Sequence, residues 1–272
     1  MSTEQEAGEP VTPTLTSRSR ALSEITTAHG SGILITVDEI QAADSADVGI
    51  LATSVQDLVR DNIPVSFIGA GLTAGIHELL SSPGTTFLRR SRRFQLAPLQ
   101  PRDATDLLLR TAESTGIVFD SDATDRAMTA AFGYPYLLQL IGSLAWDSAR
   151  TANSDHVADD MVEESIALAI PVLGDQVHQP ELAALPHSQL NSLHAMAAVM
   201  DSTDPDGTDG AFPVQIRDVA AELGRTTTSV STARAALINR DIIHGPAWGQ
   251  VAFRLPYLRQ YLDSPGGPLE VS

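Results

Sequence analysis

The pattern that most constrains this sequence is a pair of short apolar segments with a helical segment between them. Residues 33–37 read ILITV and residues 64–71 read PVSFIGAG. Each is rich in β-branched or aromatic side chains and is bounded by glycine, proline or acidic residues, as buried strands are. Between them, Asp44 is positioned to cap a helix that runs to about Asn62. This spacing predicts a βαβ unit, and hence a parallel sheet covered on both faces.

Most of the remaining sequence predicts helices. A short helix is expected over residues 15–28 and a further short strand over Phe94–Leu96. Longer helical patterns follow over residues 101–114, 121–133, 134–150, 155–170, 187–200, 212–224 and 225–243. The stretch 244–262 predicts a turn between two short strands and a last helix. Residues 171–186 are less regular and predict a linker that leads into a second domain.

Composition excludes several classes of protein. The 272 residues are 43% apolar, which suits one large domain or two modest ones. The sequence has no cysteine, so neither disulfides nor thiolate metal sites contribute. No apolar run is long enough to cross a bilayer, which predicts a cytoplasmic protein with no membrane partner. The formal charge of −17 opposes non-specific coating of nucleic acid, and all 17 basic residues are arginine.

Asp38 and Glu39 follow the first predicted strand directly. Ligands bind beyond the carboxyl ends of parallel strands, so both carboxylates are expected at that edge. An aspartate on a rigid strand can hold Mg²⁺ through its bound waters, and a neighbouring glutamate can orient or deprotonate an attacking water. That division of roles is the one of a Walker B element. The alternative is an apolar strand that ends in solvated acids, and the pair alone does not decide between them.

The order of the motifs resembles that of the AAA+ ATPases, in particular their origin-recognition-like and STAND relatives. GILITVDEIQ (32–41) is similar to a Walker B strand, and PVSFIGAGL (64–72) to the strand that carries sensor 1. FLRRSRRFQL (87–96) looks like the arginine-bearing segment and fifth strand of the family. FGYPYLLQLIG (132–142) is similar to the lid motif with its Gly-x-Pro turn. The resemblance covers roughly residues 20–262.

The resemblance implies an α/β fold: a truncated P-loop NTPase parallel sheet with helices, then an α-helical lid and a winged-helix domain. The expected divisions are a disordered tail (1–14), a partial AAA+ core from Walker B to the fifth strand (15–100), a helical lid (101–172), a linker (173–186), a winged helix (187–263) and a C-terminal tail (264–272).

One element of the family has no counterpart in the sequence. AAA+ ATPases hold nucleotide with a G-x-x-x-x-G-K-[ST] loop upstream of Walker B, whose N–H groups cradle the phosphates and whose lysine reaches the β/γ-phosphates. Only 31 residues precede Gly32, and none is a lysine. Three explanations are open. The chain is the C-terminal part of a longer protein, or a degenerate member of the family, or residues 11–15 fill the vacant central strand position, which Pro13 opposes.

The resemblance also assigns roles to single residues. Arg92 and Arg93 lie where the family supplies an arginine finger, which acts in trans and so implies a homo-oligomer; a solvated basic patch is the alternative. The resemblance implies that four residues contact the bound Mg–ATP. These are Asp38, which holds Mg²⁺ through its bound waters, Thr73 after the sensor 1 strand, and Gly133 and Pro135 in the lid turn.

The winged helix implies contact with DNA or with a protein. Hydroxyls and N–H groups at a helix start can meet phosphates, and arginines supply positive charge. The candidate DNA-binding residues are Arg225, Thr227, Thr228, Ser229, Arg234 and Arg254. Many winged helices bind protein instead, and the acidity of the chain favours that alternative.

The sequence therefore supports two hypotheses of different class. The first is an ATP-binding protein of the AAA+/STAND type, a nucleotide-dependent switch coupled to a winged helix, which as this chain binds ATP weakly and does not hydrolyse it. The second is a non-enzymatic DNA-binding or scaffold protein built on a degenerate ATPase core, or a gene fragment.

Overall fold

The computed structural model describes residues 14–82, 84–203 and 212–268. The chain divides into two compact units, Met1–Gln95 and Leu96–Ser272.

The first unit contains the predicted βαβ unit. Its elements are α1 (Leu15–Ala28), β1 (Ile33–Val37), α2 (Ser45–Arg60), β2 (Val65–Gly69) and α3 (Thr73–Ser81). β1 and β2 are parallel, with Ile33 opposite Val65 and Val37 opposite Gly69. The side chain of Asp44 accepts a hydrogen bond from the Ala46 N–H and caps α2. These elements confirm the local pattern of the sequence.

The two faces of this sheet differ in burial. Val37 and Phe67 pack against a small core formed by Ile40, Val48, Ala52, Leu79 and Leu88. On the other face Leu34 is 61% exposed and Ile68 is 56% exposed. The prediction of a sheet covered on both faces is therefore wrong for this chain, because the described helices bury only one face.

The predicted fifth strand, Phe94–Leu96, does not form. Residues 92–97 have no regular secondary structure, with Phe94 74% exposed and Leu96 91% exposed. A strand needs a hydrogen-bonded neighbour, and within the described residues β1 and β2 pair only with each other. The alternative central strand at residues 11–15 is contradicted at Leu15, because Leu15 begins α1. Residues 1–13, which include the start of that alternative strand and most of the predicted tail, lie outside the described part of the chain.

The second unit begins with a helical layer. It contains α4 (Pro101–Glu113), β3 (Val118–Phe119), α5 (Ser121–Ala131), α6 (Pro135–Thr151), β4 (His156–Val157) and α7 (Asp159–Leu173). The four helices confirm the sequence pattern, whereas the short parallel β3–β4 pair was not predicted. Leu137, Leu138 and Ile141 of α6 are fully buried and form the centre of a large apolar core.

The linker predicted for residues 171–186 is wrong. α7 continues directly into a π-helical segment, Gly174–His178, and then into α8 (Gln179–Ala183). Leu173 and Leu182 are buried, so this stretch is held by packing rather than left as a flexible connection. The wider π turn alters the helical phase after Pro171, which supplies no N–H to the helix.

The C-terminal part combines helices with a three-stranded antiparallel sheet. Its elements are α9 (His187–Thr203), β5 (Val214–Gln215), α10 (Ile216–Glu222), α11 (Thr227–Asn239), β6 (Ile243–His244), β7 (Gln250–Phe253) and α12 (Leu258–Asp263). The sheet order is β5–β7–β6. Residues 204–211 lie outside the described part of the chain, as do the last four residues of the predicted C-terminal tail. Within the described ranges, no helix is long and apolar enough to cross a membrane.

Candidate functional site

The predicted carboxylate pair lies at the carboxyl end of β1. Asp38 is the first residue after the strand, and its Oδ1 accepts a hydrogen bond of 2.9 Å from the Glu39 N–H. Glu39 adopts a left-handed backbone conformation with φ 49°, which few residues other than glycine, asparagine and aspartate adopt at low cost. Both side chains are exposed. The chain thus turns sharply at the edge of the sheet and leaves both carboxylates open to solvent.

The loops that follow β1 and β2 are tied together behind this pair. The Ala70 N–H donates to the Val37 carbonyl at 2.8 Å, and the Ile40 N–H donates to the Ala70 carbonyl at 3.0 Å. Gln41 adds a side-chain link, since its amide donates to the Glu39 carboxylate and its carbonyl accepts from the Leu72 N–H. These bonds hold the edge in one conformation.

Gln41 is a positioning residue that sequence reasoning missed. A Cβ at Gly71 would lie 2.0 Å from the Gln41 Oε1, and a Cβ at Gly75 would lie 2.3 Å from the Gln41 Cβ. Glycine is therefore required at position 75 for Gln41 to fit between the loops, whereas a side chain at position 71 would displace the end of the Gln41 side chain. The available signal was the pair of glycines four residues apart, immediately after the second strand.

Thr73 is brought to the same edge as the acids. It is the first residue of α3, whose N-cap Leu72 provides no side-chain hydrogen bond to the helix. The structure thus places Asp38 and Glu39 directly after β1, and Thr73 four residues after β2, at the carboxyl ends of the two paired strands. A hydrated Mg²⁺ fits this donor set, because such an ion needs only one or two carboxylates and keeps several waters.

The same residues do not fit the phosphates. No described group of three or more His, Asp or Glu side chains is close enough to form a dry metal site. The described loops at this edge are those of Glu39–Asp44 and Ala70–Leu72, and the one polar side chain joining them, Gln41, is already engaged. Among the described residues, the edge therefore presents two exposed carboxylates, and Gln41 is not available as a further ligand.

The arginine segment has a local structural role at one end. Arg89 donates from Nε to the Leu80 carbonyl at 2.6 Å and so satisfies the C-terminus of α3. Arg92 lies over the Phe94 ring at 4.7 Å. Arg93 and Arg89 line a cavity of about 340 Å³ whose lining includes neither Asp38 nor Glu39. Within this unit the arginines are not part of the carboxylate edge.

The Gly133 turn lies in the second unit, between α5 and α6. Gly133 has φ 72°, and a Cβ there would lie 2.8 Å from the Leu99 carbonyl oxygen. The Leu99 N–H in turn donates to the Gly133 carbonyl at 2.8 Å, and Pro135 opens α6. The turn is thus glycine-specific because the backbone of Leu99 passes directly over it.

The predicted DNA-binding residues cluster around α11. The Thr226 hydroxyl accepts a hydrogen bond from the Ser229 N–H, which caps the helix, and residues 225–229 are exposed. Arg234 extends towards Gly245 in the β6–β7 turn, and its Nε is buried without a partner among the described residues. Arg254 is less available, since it faces Asp241 at 3.6 Å.

Trp248 is a second residue that sequence reasoning missed. It lies in the turn between β6 and β7 and is 99% exposed. Its indole ring therefore has both an apolar face and an N–H donor open to solvent. The sequence signal was an aromatic residue flanked by Gly245, Pro246 and Gly249 between two short strands.

A family model, "Domain of unknown function (DUF8462)", matches residues 175–262. The match begins inside the predicted linker and ends in α12, so it groups the π-helical segment with the C-terminal elements. No curated protein matches the chain.

Solved structures share the fold at low sequence identity. The ORC2 protein of Aeropyrum pernix, in its ADPNP–ADP complexes, is 14% identical with a TM-score of 0.62, over 95% of this chain and 70% of ORC2. The chain has an AAA+-like fold. The ADP form of ORC2 gives a TM-score of 0.54 at 14% identity, with the same coverage.

The RuvB Holliday junction branch migration motor of Thermotoga maritima is 18% identical over 90% of this chain and 74% of RuvB. Its TM-score of 0.47 supports no structural argument. The resemblance noted in the sequence is therefore confirmed at the level of the fold, by ORC2, and no further.

Proposed function

We propose that this chain carries the metal- and water-handling part of an AAA+-type ATP site, coupled to a C-terminal winged helix. The observation that carries the proposal is the position of Asp38 and Glu39 immediately past the end of a parallel strand, on loops that are hydrogen-bonded to each other. In this proposal Asp38 holds Mg²⁺ through its waters and Glu39 orients a further water. The nucleotide complexes of ORC2, which has a similar fold, support it.

The proposal includes a limit on activity. The exposed apolar face of the sheet and the lack of lysine in the sequence both indicate that the phosphate-binding part of such a site is not supplied by these 272 residues. We therefore expect the purified chain to bind Mg–ATP only weakly and to hydrolyse essentially none. Calorimetry that found micromolar affinity for Mg–ATP would contradict this limit.

The metal part of the proposal has its own test. Mn²⁺, used alone as a paramagnetic substitute for Mg²⁺, should broaden the amide signals of Asp38, Glu39 and Thr73 in NMR spectra. Asp38→Asn should abolish the broadening, while Asp57→Asn in α2 should not, because Asp57 is paired with Arg60 away from the edge. Broadening that is uniform over acidic side chains would count against a specific metal site.

A second candidate function is DNA binding through α11 and the β6–β7 turn. The helix–helix–hairpin order of residues 216–253 is that of a winged helix, in which the second helix enters the major groove. The observation that favours this candidate is the exposed cap of α11 together with the exposed Trp248. The structure also weakens it, since Asp241 faces Arg254.

Fluorescence anisotropy with a short duplex tests this candidate. Arg225→Glu and Trp248→Ala alter exposed positions, so both variants should fold while binding about tenfold more weakly, as expected for loss of a phosphate contact or a stacking contact. Arg110→Glu changes net charge equally but lies on α4, and it should bind as wild type does. Equal losses in Arg225→Glu and Arg110→Glu would indicate only a general charge effect.

A further inference from the structure

The second unit contains a pocket that neither proposed function uses. It has a volume of about 720 Å³ and lies between α5 and α7, against Tyr257. We call it the Phe132 pocket. Phe132 is exposed on its wall and meets the buried Tyr257 ring edge to face, with centroids 5.6 Å apart. The Tyr257 hydroxyl donates to the Ala130 carbonyl at 3.0 Å, which fixes that ring.

The backbone at this pocket is strained on both sides. Phe132 has φ 50° and Tyr257 has φ 59°, so two bulky aromatic residues are held in the left-handed region. Each such residue costs on the order of 1 kcal/mol or more, and such strain is concentrated at ligand-binding sites. Glycine in either position would relieve the strain but remove an aromatic wall. The pocket is therefore built around these two rings.

The charge of the pocket is negative. The Asp159 carboxylate is neutralised by two hydrogen bonds from Arg126, at 2.6 and 2.5 Å. This pair raises the pKa of Arg126 and lowers the pKa of Asp159. Asp122 and Asp125 line the same pocket, are exposed, and form no salt bridge among the described residues. The pocket therefore presents an apolar wall and two unpaired carboxylates, which suits a ligand that combines a cation with an aromatic ring.

A segment at the end of the first unit, extended by Leu96 of the second unit, has that chemistry. Residues 90–96, RSRRFQL, contain three arginines that form no ion pair within the described structure. Arg92 stacks over Phe94, which is exposed, as is Leu96. In an extended conformation residues 92, 94 and 96 share one side. The segment thus offers a guanidinium, an aromatic ring and an aliphatic side chain at alternate positions.

The charge of the two units is also complementary. Residues 1–95 contain seven arginines and eleven acids, whereas residues 96–272 contain ten arginines and 23 acids. The basic segment lies at the end of the less acidic unit, and it is attracted to an acidic pocket in the strongly acidic one.

We propose that the Phe132 pocket binds residues 90–96 of a second copy of this chain. The contact is heterologous, because the segment of one copy meets the pocket of the next, so it builds rings or open chains. It requires neither nucleotide nor DNA and is independent of both functions proposed above. It differs from an arginine finger, because the binding partner of Arg92 is Asp125 of a neighbour rather than a phosphate.

Sedimentation velocity without nucleotide, over a range of protein concentrations, tests this proposal. The wild-type chain should associate as concentration rises, and 0.5 M salt should weaken the association. Arg92→Glu and Asp125→Arg should each weaken it about tenfold or more, since each places like charges together. An equimolar mixture of the two variants should associate again, because the mixture restores opposite charges in both possible contacts.

Two further variants separate the proposal from general effects. Arg110→Glu makes the same change of net charge on α4 and should associate as wild type does. Phe94→Ser removes the ring without altering charge and should weaken association. A chain that stays monomeric at all concentrations, association that is unaffected by Asp125→Arg, or single variants whose mixture stays dissociated would each overturn the proposal.

Discussion

His178 makes a sharp prediction about the pH dependence of stability. It lies in the π-helical segment, is 1% exposed, and packs against Tyr261 with ring centroids 5.3 Å apart. Gly174 permits this arrangement, since a Cβ there would lie 2.8 Å from the Tyr261 ring. Neither ring nitrogen of His178 makes a well-formed hydrogen bond within the described structure. Burial lowers the pKa of His178 to about 4, and the backbone of Pro256 offsets this only in part.

The direction of the effect follows from the two pKa values. The folded chain holds His178 neutral down to a pKa of about 4, whereas the unfolded chain protonates it at the ordinary 6.5. The unfolded state therefore binds more protons, and stability is lost as the pH falls from 6.5 towards 4. Because one pKa unit is about 1.4 kcal/mol, the loss is about 2 kcal/mol at pH 5 and about 3 kcal/mol below pH 4.

Denaturant unfolding followed by tryptophan fluorescence measures this loss. Trp146 and Trp248 are the only tryptophans, and both belong to the second unit, so the signal reports the unit that contains His178. His178→Leu should stay within about 1 kcal/mol of wild type at pH 7.5, because it replaces a ring that has no well-formed hydrogen bond with an apolar side chain of similar size. Its free energy of unfolding should then fall by about 2 kcal/mol less than that of wild type between pH 7.5 and pH 5.

A matched control is available on α9. His187 is exposed, so His187→Leu removes a ring that is in water in both the folded and the unfolded chain. This variant should show the full wild-type loss between the two pH values. If His178→Leu and wild type lose the same free energy, the buried neutral imidazole is not the cause and the reasoning fails.

Two further predictions concern packing in each unit. Ile141→Ala removes a fully buried side chain and should lower the free energy of unfolding by about 2–5 kcal/mol. Leu168→Ala, at an exposed position of α7, should lower it by less than about 0.5 kcal/mol. Fluorescence-detected unfolding measures both values, and equal losses would contradict the assigned core. Gly75→Ala forces a clash with Gln41 and should destabilise the first unit by about 1–3 kcal/mol. In Gly49→Ala the added methyl group meets no neighbour within 4 Å, so this variant should stabilise α2 by up to about 1 kcal/mol. Hydrogen exchange of peptides from the first unit should show weaker protection in Gly75→Ala and stronger protection in Gly49→Ala. Protection of Gly75→Ala equal to that of wild type would refute the role of Gln41.

The sequence by itself determined the elements whose signals are local. Asp44 marks the start of α2 because its carboxylate accepts from a backbone N–H two residues away. The apolar pattern of residues 33–37 and 65–69 specifies two strands, and their separation by one helix specifies a parallel pair. The position of Asp38 and Glu39 follows from these facts alone, because both come directly after a strand.

The tertiary structure decided everything that depends on a partner distant in sequence. Phe94–Leu96 has a strand-like pattern but no neighbour to pair with, so it stays irregular and exposed. Residues 171–183 have weak local signals, yet they are helical because Leu173 and Leu182 are buried by elements distant in the chain. The Phe132 pocket depends likewise on Tyr257, 125 residues further on. Hydrogen bonds of a helix are made within a few residues, whereas burial and strand pairing are supplied by the rest of the fold.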